Sequence, residues 1–277
     1  MEMNLDQMLI WINRVEEQEL ESIQHIFDID KGLRSRGAYN RAADNPSHQI
    51  EGLIMLSQAR WVLQKDLDMA NNLLGKITDL AALSSRAIQE IDHARSNNYV
   101  WDYILLSYST FVPILVGLLL AGAEKEFFGL SEKIVSCSSF DHESRGHIVG
   151  EFAFQIANLA VGKYGLDSLS AIEGTKGFKK SHFIYGYHEL LYHIAQNDPE
   201  AFERVRGELE SAFPKRVRSR IALGQLETWG YGKVAQSATF DALGTALCRL
   251  ALWRGMPINA NTRLYPKEFY AAQLLLA

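Results

Sequence analysis

From Tyr103 to Gly122 the chain carries no charged residue, and Ile, Leu, Val or Phe fill most of the positions between. A stretch of that length has to leave water, either in a bilayer or in the middle of a protein. Asp102 and Glu124 flank it, no Lys or Arg closely precedes it, and Ser107, Ser109, Thr110, Pro113 and Gly117 dilute it. These features predict a buried central helix, kinked at Pro113, and no membrane span. A helix that is apolar on every side needs other helices to cover it.

The flanking sequence can supply that cover. A chain of 277 residues with 47% hydrophobic content can bury a sizeable core. Leu5, Met8, Leu9, Ile12, Val15, Ile23 and Ile26 recur at helical spacing among acids and amides, which predicts an amphipathic helix with a negative outer face. The segment 31–47, with Gly32, Gly37, Asn40, Asp44, Asn45 and Pro46, reads as a flexible loop or hinge. From His48 to His93 breakers are nearly absent, and two helices parted near Gly75 are expected. Ser96 to Asn98 reads as a turn, Glu124 to Val135 as a further helix, 136–146 as a polar connection, and Ile148 to Val161 as another helix.

Asp198 and Pro199 have the form of a helix start, with the carboxylate capping free amides and the proline where no amide bond is lost. Near the C-terminus, Phe240, Leu243, Leu247, Leu250 and Ala251 form the buried stripe of a helix from about Thr239 to Arg254. Gly255 can take the left-handed stop, and Pro257 prevents continuation. No run alternates with a period of two, so extended structure is confined to a strip such as Pro257 to Thr262. The expected fold is one all-α domain over 1–277, a multi-helix bundle of stacked antiparallel hairpins with a repeat-like character and a short extended C-terminal strip.

Charge and cysteine usage narrow the function. The net charge is -5, but residues 1–30 hold eight acids against Arg14 alone, a face that repels nucleic acid. Cys137 and Cys248 lie far apart without metal-ligand spacing, so neither a disulfide scaffold nor a zinc site is expected. Both are read as reduced thiols. No basic-then-apolar leader opens the sequence, and the reading is cytoplasmic.

Candidate chemistry clusters at two places. His182, His188, Glu189 and His193 are dense, but their spacing fits neither HExxH nor a carboxylate-bridged di-iron motif, and aromatic neighbours favour packing. Asp141, His142, Glu143 and His147, with Glu151, form the second polar group, which helix capping explains as well as hydrolysis does. The basic run Lys215, Arg216, Arg218 and Arg220 lacks an interleaved aromatic platform and is read as a solvated face. Trp229 and Tyr231, set among Gly230 and Gly232, are either packed or an interface anchor. No catalytic residue, cofactor or metal ligand is assigned.

Three segments carry a family resemblance: Asp198-Pro-Glu-Ala-Phe202 with Val205 and Leu209, the basic stretch from Lys215 to Arg220, and Leu243 to Ile258 leading to Leu264-Tyr-Pro266. In these the chain resembles the immunity-49 family of bacterial polymorphic-toxin immunity proteins, over roughly its final third. The resemblance implies an all-helical, non-enzymatic protein that binds and occludes a cognate secreted antibacterial toxin, from a contact-dependent or type VI secretion system. The toxin would be a cationic effector domain such as a nuclease, with no nucleic acid or membrane as partner. The residues expected to contact it are Glu16, Glu17, Glu21, Asp28, Asp30, Glu200, Glu203, Glu208, Trp229 and Tyr231. The competing readings are a helical hydrolase or metalloprotein using His142, His147, Glu151, His188 and His193, and a helical adaptor.

Overall fold

A computed structural model describes residues 5–36, 38–96, 110–137, 147–165, 167–175, 178–180, 182, 184–222 and 239–271. These form eleven α-helices and no β-strand. In chain order they are α1 (Leu5–Ser35), α2 (Tyr39–Ala59), α3 (Leu67–Ser96), α4 (Phe111–Ala121), α5 (Glu124–Ser136), α6 (Ile148–Ala160), α7 (Asp167–Glu173), α8 (Tyr187–Gln196), α9 (Pro199–Ala222), α10 (Ala242–Trp253) and α11 (Lys267–Tyr270). The expected all-α bundle is therefore the observed class.

Residues 103–109 of the uncharged stretch lie outside the described residues, and the remainder does what its composition demands. Within α4, Phe111, Val112 and every residue from Ile114 to Leu120 are buried. Four helices surround α4, namely α2, α3, α5 and α10, with α6 and α11 adding to the cover. Gly117 sets the closest approach, because a Cβ there would stand 2.9 Å from methyl groups of both Ile50 on α2 and Ile77 on α3. Pro113 falls in the first turn of α4, where its missing amide removes no internal bond, so the expected kink has no cause. Among the described residues, no helix is long and apolar enough to cross a membrane.

Short connections make antiparallel hairpins. Ser84 Oγ donates to the Ala43 carbonyl at 2.8 Å across α2 and α3, and Gly186 at the head of α8 lies against Leu209 of α9. The expected loop over 31–47 is a finding against the sequence reading: α1 runs on to Ser35 and α2 starts at Tyr39 with Pro46 inside it. Ala42, Ala43, Pro46 and Ser47 are buried, so packing overrides the turn-forming composition. The break expected near Gly75 comes earlier, at a π-turn over Arg60–Gln64 closed by Lys65 with φ 57. Gly75 is an exposed position within α3. The turn expected at 96–98 lies mostly outside the described residues, as does the connection over 138–146.

The C-terminal unit forms as its sequence foretells, with two adjustments. Helix α10 starts at Ala242, capped by Asp241, and Gly255 has φ 82. The strip over 256–261 has no regular secondary structure, yet Met256, Ile258 and Ala260 alternate inward to the core. Leu243 is half-buried beside the fully covered Phe240, Leu247, Leu250 and Ala251.

Candidate functional site

Helix α1 has two faces of opposite use. Its inner stripe is Ile12, Glu16, Ile26 and Asp30, all buried, at the spacing that stacks residues on one side of a helix. Glu16 and Asp30, expected to meet a partner, are thereby committed inside. Glu16 Oε2 accepts from Arg60 Nε at 2.8 Å and pairs with Nη2 at 2.7 Å, while Arg60 also holds Asn13 and Gln64. Asp30 pairs with Arg34 at 2.8 Å, and Arg34 reaches on to Glu90 at 2.9 Å. Burial raises the Asp30 carboxyl above its usual range, and the Arg34 guanidinium works against that rise. Burial also raises Glu19, whose carboxylate lies over Gly52 of α2.

The outer face is different. Glu17, Glu21, Gln24 and Asp28 are all exposed and follow one another at helical spacing, with Ile10 on the same line. Ile10 is 70% exposed, and Phe27 and Ile29, on either side of Asp28, are 36% and 48% exposed. Among the described residues these are the large exposed hydrophobics. The surface runs for about 28 Å at 1.5 Å per residue. Of the five N-terminal acids expected at an interface, Glu17, Glu21 and Asp28 share this face.

On α9 the expected acids also divide. Glu200 and Glu208 are exposed, whereas Glu203 binds Arg206 at 2.7 Å together with Glu210 at 2.8 Å. Arg206 lies over the Tyr265 ring at 4.9 Å, so this trio belongs to the packing of the C-terminal unit. Burial pulls Arg206 down, and its two carboxylates more than offset that.

That unit spends its polar groups internally. Asp241 Oδ1 accepts from the Gly244 amide at 2.9 Å, and Oδ2 accepts from the hydroxyls of Tyr187 at 2.8 Å and Tyr265 at 2.6 Å. Burial and the Asp241 charge push the Tyr265 hydroxyl far up. Arg249, 4% exposed, donates Nη1 to the Leu119 and Leu120 carbonyls at 2.9 and 3.2 Å, and Nε to the Tyr270 carbonyl at 3.3 Å. Its cation thus meets the negative end of α4. Burial lowers its pKa to about 10.

Among the described residues, the histidines of the enzymatic reading form no three-membered cluster with other metal-ligating side chains. His147 is exposed just before α6, and Glu151 is buried in that helix, bonded by Gln155 at 2.6 Å. His188 and His193 lie on α8. His188 is 1% exposed, takes the Gly186 amide on Nδ1 at 3.1 Å, packs edge-on against Phe178 and stands 3.7 Å from Glu173. Burial lowers both His188 and His193. Among the described residues no group of three metal-ligating side chains comes together. His142, Trp229, Tyr231, Asp141 and Glu143 lie outside the described residues, as do the side chains of Arg216, Arg218 and Arg220.

Ile10, Phe27 and Ile29 are interface candidates that the sequence reading missed. For Ile10 the signal was available, since it stands opposite the line through Ile12 and Ile26; Phe27 and Ile29 flank that line at the same angles as Leu20 and Trp11, which do pack on the core, so no local pattern marks them as exposed. No family model, curated protein or solved structure matches the chain.

Proposed function

We propose that this chain is an immunity protein that binds a cognate secreted antibacterial toxin, occludes it and protects the producing cell without turning over any substrate. The observation that supports this most is the outer face of α1, where Glu17, Glu21 and Asp28 share a line with the exposed Ile10 and where the exposed Phe27 and Ile29 flank that line at its C-terminal end. Carboxylates arranged this way steer a cationic domain into encounter, and the apolar side chains beside them are then desolvated as anchors. The partner that fits is a basic effector domain, a nuclease being the obvious type. Because α1 is a preformed helix held by its inner stripe, little ordering entropy opposes association.

Co-expression with the toxin encoded beside the gene tests the reading. Growth rescue and a one-to-one complex are expected. Replacing Glu17, Glu21 and Asp28 by Lys should slow association and flatten its salt dependence, while Ile10→Ser with Phe27→Ser should speed dissociation. Absence of both binding and rescue by the unaltered chain would end the proposal.

A further inference from the structure

Helices α3 and α5 run side by side in the same direction, since Lys133 Nζ bonds Ser85 Oγ at 2.5 Å and, one turn or two further on, Cys137 Sγ lies 3.7 Å from Asp92 Oδ1. Between them lies a trough of about 310 Å³. Each helix presents positions i, i+1, i+4, i+5 and i+8 to it, starting from Ala81 and from Lys125. Several of the lining side chains are small, Ala81, Ala82 and Ser85 on α3 and Gly129 on α5, and this is why the helices leave a depression where they would otherwise interlock.

The polar lining is cationic. Arg86, Lys125 and Lys133 stand against a single carboxylate, Glu126. Lys133 is half-buried, its hydrogen-bond partner is the neutral Ser85 hydroxyl, and burial lowers its pKa, the response of an ammonium with too little counter-charge. Among the described residues no carboxylate pairs with Arg86, Lys125 or Lys133 within ion-pair distance. Arg86 does lie in the field of Asp30, yet that carboxylate's contact is with Arg34.

We propose that this trough binds a small phosphorylated molecule, its phosphate dianion held by Lys133, Arg86 and Lys125 and its remaining atoms lying on the apolar floor at Gly129, Ala81 and Leu130. The donor set suits a phosphate: two ammoniums and a guanidinium supply charge, and the Ser85 hydroxyl and the Gln89 amide add neutral donors. The volume stands at the lower end for small-molecule pockets and fits a metabolite-sized anion. The site is separate from the outer face of α1 and stands or falls independently of toxin binding.

Calorimetric titration of the full chain with pyrophosphate at low ionic strength provides the test. Saturable binding in the millimolar range or tighter is expected. Lys133→Met should weaken it by about tenfold or more. Gly129→Leu keeps every charge and fills the trough, and it is sterically allowed because a Cβ there meets nothing within 4 Å. It should abolish binding while the urea midpoint stays at or above that of the unaltered chain. Absence of saturable binding at about 10 mM pyrophosphate, or Gly129→Leu binding as the unaltered chain does, would overturn the site and leave only diffuse surface charge.

Discussion

The N-terminal helix and the C-terminal unit carry similar side chains and use them in opposite ways. Around α10, Asp241 collects two tyrosine hydroxyls and a helix-end amide, and Arg249 collects carbonyls at the end of α4. Those groups are satisfied within the fold and have nothing left to offer a partner. On α1, Glu17, Glu21 and Asp28 are exposed among the described residues. The comparison teaches that a carboxylate's role here depends on which side of a helix it stands, and not on how acidic its segment is.

The contrast can be broken by substitution, beginning where the loss should be greatest. Asp241→Ala removes a helix cap and strands two buried hydroxyls, and should cost about 4 kcal/mol in urea unfolding. A loss below about 1 kcal/mol would mean that the C-terminal network is not structural. Arg249→Met should cost about 3 kcal/mol, because the carbonyls of Leu119 and Leu120 lose a charged donor. Within α1, Glu16→Ala should cost about 2 kcal/mol by leaving the buried Arg60 without its carboxylate, whereas Glu17→Ala next to it should be near neutral.

A pH series sharpens the same distinction. His188 lies below its ordinary 6.5 in the folded chain, with burial as the main cause. The unfolded chain therefore takes up the proton first, and stability that is complete above 6.5 is lost as pH falls through the folded value. His193 acts in the same direction. The raised carboxyls of Asp30, Glu19 and Glu189 have the opposite sign, since they lose stability as pH rises through their folded values. The informative measurement is therefore the difference between the unaltered chain and His188→Gln, which should narrow as the pH is lowered from 7.5 to about 5. The smallest effect belongs to the outer face of α1: Glu17→Lys, Glu21→Lys and Asp28→Lys should each move stability by less than about 0.5 kcal/mol, so that any change in association with the proposed partner is a change in the surface alone.

Much of this was legible in the linear chain. The period of Leu5, Met8, Ile12 and Ile26 gave α1, Asp198 gave the start of α9 by accepting the Ala201 amide at 3.0 Å, and Gly255 gave the end of α10. Even the division of the acids was readable, since Glu16 and Asp30 each follow a core isoleucine by four residues. The misreadings share one cause. Pro46 and its neighbours carry loop-like chemistry but are held helical by burial against α3, and Lys65 takes a left-handed conformation that no glycine announces.

The sequence alone determined that the chain must be helical and must hide an uncharged helix, because periodicity and desolvation are properties of neighbours along the chain. The tertiary structure decided which charges remain in water. Arg60, Arg34 and Arg206 each draw carboxylates into the packing, while the small residues facing one another on α3 and α5 leave three cations around a trough. Those outcomes depend on distances between residues remote in sequence, and no local pattern encodes such distances.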